Sequence, residues 1–202
     1  PPDLKQALEW YTKAANQDLA EAQYVLGGMY FNGQGVPQDY KKAVAWYTKA
    51  ANQDIVEGQT ILAQMYADGK GVSQDYKQAF AWYAKAANKG YAAAQYYLGY
   101  MYGRGQGVPH DSRQAFAWFT KAANQGFADA QGMLGKMYAY GEGVPQDYKQ
   151  AYVWYFLAAN TGSSDASKSR DDVAVRLKPQ QLAEAQQQAK VLFDKIETNK
   201  PK

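Results

Sequence analysis

The string WYTKAANQ at Trp10–Gln17 returns unchanged at Trp46–Gln53, thirty-six positions later. Near-copies begin at Trp82, Trp118 and Trp154, so all five tryptophans fall in one slot of a fixed period. A period of this length marks a stack of like units, each too small to bury its own apolar face. It overrides the reading of 202 residues as one or two ordinary domains.

One unit can be read from Ala20 to Gln53. Ala22, Leu26, Met29 and Tyr30 recur at helical spacing, and Gly33 supplies the left-handed residue that ends a helix. Pro37 cannot sit in a helix interior, and Asp39 is a good N-cap for the second helix of the unit. Tyr40, Ala43, Tyr47, Ala50 and Ala51 then share one helical face, with Trp46 beside them. The unit is helix–loop–helix. Later copies repeat the loop glycines (69/71, 105/107, 141/143) and the caps Asp75, Asp111 and Asp147. Asp18 and Asp54 stand in the turn between units where Gly90 and Gly126 stand elsewhere. The tryptophans are expected to be buried anchors between units, each contributing roughly 4–6 kcal/mol as an upper bound.

After Asn160 the pattern decays. Ser163–Lys178 keeps helical character but loses the Gln-x-x-Leu-Gly core, and Pro179 opens a polar helix with Leu182, Ala185, Ala189, Leu192 and Ile196 along one stripe. A stacked array needs an end helix with one wet face, and this helix fits. Residues 1–161 are therefore read as repeats, the first truncated to its second helix, and 162–202 as a degenerate repeat with a capping helix. Pro1-Pro2-Asp3-Leu4 matches Pro37-Gln38-Asp39-Tyr40, so the chain is expected to be a piece of a longer protein that starts inside a repeat.

Composition excludes several classes. Net charge is +3, with basic and acidic residues spread along the chain, so no basic stripe points to nucleic acid. No apolar run is long enough to insert in a membrane. There is no cysteine, which removes disulfide scaffolds, thiolate nucleophiles and most structural zinc sites. His110 is the single histidine, on a loop where other copies carry glutamine, and it reads as a surface residue. The Gly-x-Gly of GRGQGVP follows a helix and lacks the Lys-Ser/Thr of a phosphate loop, so it reads as turn glycines. The recurring aspartates already serve as N-caps, which leaves no catalytic residue, cofactor or metal to name.

Gly-x-Gly-Val-Pro, Ala-x-x-Trp-Tyr and Lys-Ala-Ala in register from Pro1 to about Asn160 resemble the Sel-1-like repeat, a thirty-six-residue branch of the tetratricopeptide superfamily, in a protein of bacterial type. The tail is similar to the terminal segment of bacterial members. The resemblance implies an all-α fold, a right-handed superhelical solenoid of antiparallel helix pairs. It implies a scaffold or adaptor function, often periplasmic or secreted in a bacterium and tied to the envelope. A cysteine-rich subgroup, once described as penicillin-binding, carries paired cysteines that this chain lacks, so that activity does not transfer.

Comparing copies separates scaffold from surface. Gln23, Leu26, Met29, Tyr30 and their equivalents barely change, whereas four positions of the first helix vary. They give the candidate partner-binding set: Tyr24, Thr60 and Tyr96; Gly28, Gln64, Tyr100 and Lys136; Phe31; and Asn32, Asp68, Arg104 and Tyr140. Their spacing brings them to one helical face, which by resemblance to tetratricopeptide repeats lines the concave groove. Aromatic anchors there suit a protein or peptide ligand. Glu21, Glu57 and Asp68 lie early and Arg104 and Lys136 late, so the partner is expected to be positive toward the N-terminal half. The function expected is a non-catalytic protein-protein interaction scaffold. The alternatives are a cell-wall or β-lactam hydrolase and a regulatory subunit of an envelope enzyme. The partner's identity and bound conformation and the oligomeric state stay open. The terminal helix is amphipathic and ends basic, yet its apolar stripe is narrow, and capping explains it better than a membrane surface.

Overall fold

The computed structural model describes residues 3–161 and 164–198. Pro1 and Pro2, which open the match to Pro37-Gln38, and Ser163, which opens the decayed segment, lie outside the described residues. Among the described residues there are eleven helices and no strand: α1 (Leu4–Asn16), α2 (Ala20–Asn32), α3 (Tyr40–Asn52), α4 (Val56–Asp68), α5 (Tyr76–Asn88), α6 (Ala92–Arg104), α7 (Ser112–Ala123), α8 (Ala128–Tyr140), α9 (Tyr148–Ala159), α10 (Ser164–Ala174) and α11 (Pro179–Thr198). The chain divides into two compact units. One holds Pro1–Ala94 with Gln106–Val108, the other Gln95–Gly105 with Pro109–Lys202.

In every repeat the ends of the helices are fixed as the sequence predicts. Gly33 takes φ +70° and returns its N–H to the Met29 carbonyl, and Asp39 accepts from the Lys42 N–H. The Asp39 N–H in turn donates to the Tyr30 carbonyl at 2.9 Å, tying the start of α3 to the end of α2. The second loop glycine has a different task. A Cβ on Gly35 would lie 2.5 Å from the Leu4 carbonyl oxygen, so the loop rests directly on the first turn of the preceding repeat's second helix. Gly71 rests on Tyr40 in the same way, closer still. No side chain fits there.

The recurring glutamine closes the turn between repeats. Gln23 and Gln59 are buried, and their amides donate to the carbonyls of Ala15 and Ala51 eight residues earlier, at 3.3 and 3.0 Å. Asp18 and Asp54 hold this turn at φ +66° and +72°, where Gly90 and Gly126 have φ +92° and +82°.

In the first unit one apolar cluster joins Ala15, Ala22 and Leu26, and another joins Ala43, Tyr47, Ala51, Leu62 and Met65. Trp46 packs on the first and Trp82 on the second, and each cluster joins residues of two successive repeats. The tryptophans are not the buried anchors expected of them. Trp10 is 64% exposed, Trp46, Trp82 and Trp118 are half-buried, and only Trp154 is buried among the five. Three residues on, Lys49, Lys85 and Lys121 set their ammonium groups 4.2, 4.1 and 3.7 Å from the ring centroids of Trp46, Trp82 and Trp118. A lysine head needs water, so the ring face beneath it stays open. In the last copy Leu157 replaces that lysine, and Trp154 is buried. The buried aromatic is the neighbouring residue: Tyr47, Tyr83, Phe119 or Tyr155.

In the second unit a single cluster runs from Ala115 and Phe119 through Leu134, Met137 and Tyr155 to Val173, Ala185, Ala189 and Ile196. The tail helix α11 buries Ala185, Ala189 and Ile196 of its predicted stripe, and its outer face is wet. Lys149 pairs with Glu184 across α9 and α11. α10 begins thirty-six residues after α8, so it keeps the register of a first helix although its letters have changed.

Candidate functional site

The first helices of each unit carry the cavities. In the first unit, α2 and α4 stand beside each other over the Tyr47 ring and enclose about 370 Å³. Tyr24, Gly28, Phe31 and Asn32 come from α2, and Gln64 and Asp68 from α4. These six residues occupy the four positions that vary between copies. Thr60 is buried and its hydroxyl donates to the Val56 carbonyl at 2.8 Å, so it turns inward instead. Tyr47, Ile61, Met65 and Lys70 also line the space. Sequence comparison passed over Tyr47 and Met65 because they read as core, and both are buried while still forming the floor; Ile61 beside them is half-buried.

The local order of this cavity comes from its contacts. The Tyr24 ring sits 5.8 Å from Tyr47, tilted by 54°, and Phe31 meets Tyr40 edge-on at 5.2 Å. At the rim, Asp68 accepts from the Gln64 amide at 2.8 Å and pairs with Lys70 at 3.3 Å. The Tyr83 hydroxyl donates to the Gln64 carbonyl oxygen at 2.7 Å. Burial, and then the Glu57 carboxylate, raise the Tyr24 phenol above its ordinary value; burial, Glu57 and Tyr24 do the same to Tyr91. Glu57 therefore faces a tyrosine-lined surface.

In the second unit Tyr96 and Lys136 line one cavity of about 470 Å³, together with Gly132, Asp129, Asp165 and Ser169. The Tyr96 ring lies 5.3 Å from Phe127 and 5.7 Å from Phe119. Tyr100 is half-buried beneath the Arg104 guanidinium, 5.4 Å from its ring centroid, and neither residue lines that cavity. Tyr140 is 69% exposed and belongs to a further cavity of about 600 Å³, with Tyr148, Asp172 and Arg176. Arg176 lies over the Tyr148 ring at 5.3 Å and donates to its hydroxyl. Tyr155 lines both spaces; burial and then Tyr140 push its phenol up to about 12, against a hydrogen bond with Ser169. The contributions of α10 and of the turn that follows it were missed at the sequence level. Its register was the available signal: Ser169, Asp172 and Arg176 stand 108 positions after Ile61, Gln64 and Asp68.

His110 is exposed, with its ring 3.3 Å from the Ser112 hydroxyl. Among the described residues no three His, Asp or Glu side chains gather as metal ligands would, and no helix is long and apolar enough to cross a membrane.

Register, loop glycines and paired helices define the class: a protein of α/α helical repeats with side-chain cavities between successive first helices. The Sel1 repeat matches at residues 1–19, 20–55, 56–91, 92–127 and 128–163, and the chain belongs to the Sel1 repeat family. Among solved structures it is similar to a protective antigen present in uropathogenic Escherichia coli strains, which displays an SLR fold. That protein is 36% identical over 97% of this chain, with a TM-score of 0.84, and the chain spans 44% of its length. A Sel1 repeat protein from Oxalobacter formigenes is also 36% identical, over 93% of this chain and 79% of its own, with a TM-score of 0.79. The cysteine rich protein B of Helicobacter pylori is 29% identical over 65% of this chain and 95% of its own, with a TM-score of 0.52. No curated protein matches the chain. Sel1 repeat proteins are generally non-catalytic scaffolds for protein interaction.

Proposed function

We propose that this chain is a non-catalytic scaffold that takes a protein or peptide segment against its first helices. One seat is the α2–α4 cavity, and others are the cavities beside α8 and α10. The observation that carries this reading is the coincidence of Tyr24, Gly28, Phe31, Asn32, Gln64 and Asp68, which differ between copies, around a single aromatic-walled space. A stack needs its core letters to agree, whereas a binding face needs each copy to differ. Tyrosine and phenylalanine bring large contact area with little rotamer entropy, as anchors of interfaces do. Glu21, Glu57 and Asp68 are the charged residues of α2 and α4, so the segment seated there carries positive charge outside its apolar contacts.

A selection of random displayed peptides on the purified protein tests this. Enriched peptides are expected to lose tenfold or more in affinity on the Tyr24→Ala/Phe31→Ala double variant, which removes two anchors. They should keep full affinity for Lys41→Ala, on the exposed side of α3. Peptides that bind all three proteins equally would remove the first helices as the docking face.

A further inference from the structure

The buried aromatic of the second helix recurs in four complete copies, and its polar end is handled differently in each. Tyr83 donates its hydroxyl to Gln64. Phe119 has none, and the Tyr155 hydroxyl bonds Ser169. Tyr47 faces Gly28, where the copy containing Tyr83 has Gln64. Its side chain is 3% exposed, and among the described residues nothing hydrogen-bonds its hydroxyl. The hydroxyl opens into the α2–α4 cavity: a Cβ on Gly28, itself a lining residue, would stand 3.5 Å from that oxygen. A hydroxyl that no protein group engages, and that floors a cavity instead of being sealed in the core, is set for a ligand atom.

We propose that the Tyr47 cavity is a recognition subsite for one aromatic side chain tipped by a neutral hydrogen-bonding atom, a tyrosine or tryptophan of the bound protein. This deepens the scaffold reading and rests on it. Tyr24 and Phe31 offer ring faces and edges, and Ile61 and Met65 the aliphatic remainder, in a space sized for a single large side chain. The Tyr47 phenol is protonated at neutral pH, as any tyrosine is, and burial raises its value further, so it both donates and accepts without charge. A lysine or arginine head does not fit at this depth. The one carboxylate of the cavity, Asp68, is at the rim and already engaged by Gln64 and Lys70, and a buried cation needs a charged partner. Phenylalanine fills the space but leaves the hydroxyl unpaired, which costs roughly three- to tenfold in affinity.

The test tracks the methyl resonances of Met65 and Ile61 during titration with N-acetyltyrosinamide. Saturable shifts are expected, with N-acetylphenylalaninamide binding three- to tenfold more weakly and N-acetyllysinamide giving none. Tyr47→Phe should erase the preference for tyrosine over phenylalanine. Gly28→Gln, which places on α2 the side chain that already satisfies Tyr83, should abolish binding while circular dichroism and the remaining methyl spectrum stay native. Equal affinity of the tyrosine and phenylalanine probes on the native protein, or the absence of any saturable shift, would overturn the subsite. If selected peptides require Tyr24 and Phe31 yet tolerate phenylalanine in place of each of their tyrosines and tryptophans, the subsite fails while the scaffold reading stands. If the amide binds as expected but no selected peptide depends on those two residues, the subsite stands and the scaffold reading fails.

Discussion

One residue shows how tightly the repeat letters are coupled. At the end of α3 the Gln53 amide donates to the Gln23 side-chain oxygen at 2.9 Å, and Gln125 does the same for Gln95 at 2.8 Å. The intervening copy has Lys89 in that slot, and Lys89 instead pairs with Asp54 at 2.5 Å. The oxygen it would have served, Oε1 of Gln59, is the buried side-chain atom left without a partner among the described residues. Lys89→Gln should therefore raise stability by about 1 kcal/mol, the usual worth of satisfying a buried acceptor. The ion pair it removes joins side chains that are 38% and 74% exposed, and such surface pairs contribute little. A urea midpoint that rises at unchanged slope is the expected result; a fall would mean that the lysine–aspartate pair outweighs the orphaned oxygen.

At the scale of the helix, the contrast between adjacent aromatics carries the prediction. Trp82 is half-buried under Lys85, whereas Tyr83 is 2% exposed. Tyr83→Ala should cost about 3–5 kcal/mol, as truncation of a core aromatic does, and Trp82→Ala only about 1–2 kcal/mol because its outer face is already wet. Urea unfolding of the two variants side by side decides it, and equal losses would restore the tryptophan as an anchor. The pair also shows what a sequence can reveal. Helix ends at Gly33 and Asp39, and the inward stripe of α11, were legible because φ preference, capping and periodicity act locally. Burial depth was not. Repetition of Trp46, Trp82 and Trp118 reports that their surroundings recur, not that those surroundings exclude water. The site was half legible for a related reason. Tyr24, Phe31 and Asp68 stood out by varying, but the cavity floor is made of Tyr47 and Met65, whose recurrence marks them as core. In α10 and the turn after it, the polar letters Ser169, Asp172 and Arg176 hid the register of a first helix, although the helical character itself was legible.

For the molecule as a whole, the tyrosines set its response to alkali. Of eighteen in the chain, Tyr24, Tyr47, Tyr91, Tyr96, Tyr138 and Tyr155 have phenols raised above the ordinary value of 10.0, with burial the first cause in each. A raised phenol binds its proton more firmly folded than unfolded. Its contribution is complete below pH 10 and is lost as pH climbs from there through the folded value, which for Tyr155 is about 12. Each such group steepens the decline by at most about 1.4 kcal/mol per pH unit within its window. The urea midpoint should thus hold a tyrosine-dependent component that is flat at neutral pH and falls above pH 10. Tyr47→Phe isolates one member, because its hydroxyl has no partner to lose and the change should be nearly neutral at pH 7. Lysines also discharge near pH 10.4, but native and variant share them, so the difference between the two curves is the phenol alone. That difference should open above pH 10 in favour of the variant and widen up to the limit of measurement. Parallel curves would mean that the Tyr47 hydroxyl titrates as it does in water, and a phenol that does so cannot be lying on the floor of a cavity shut in by Tyr24 and Gly27.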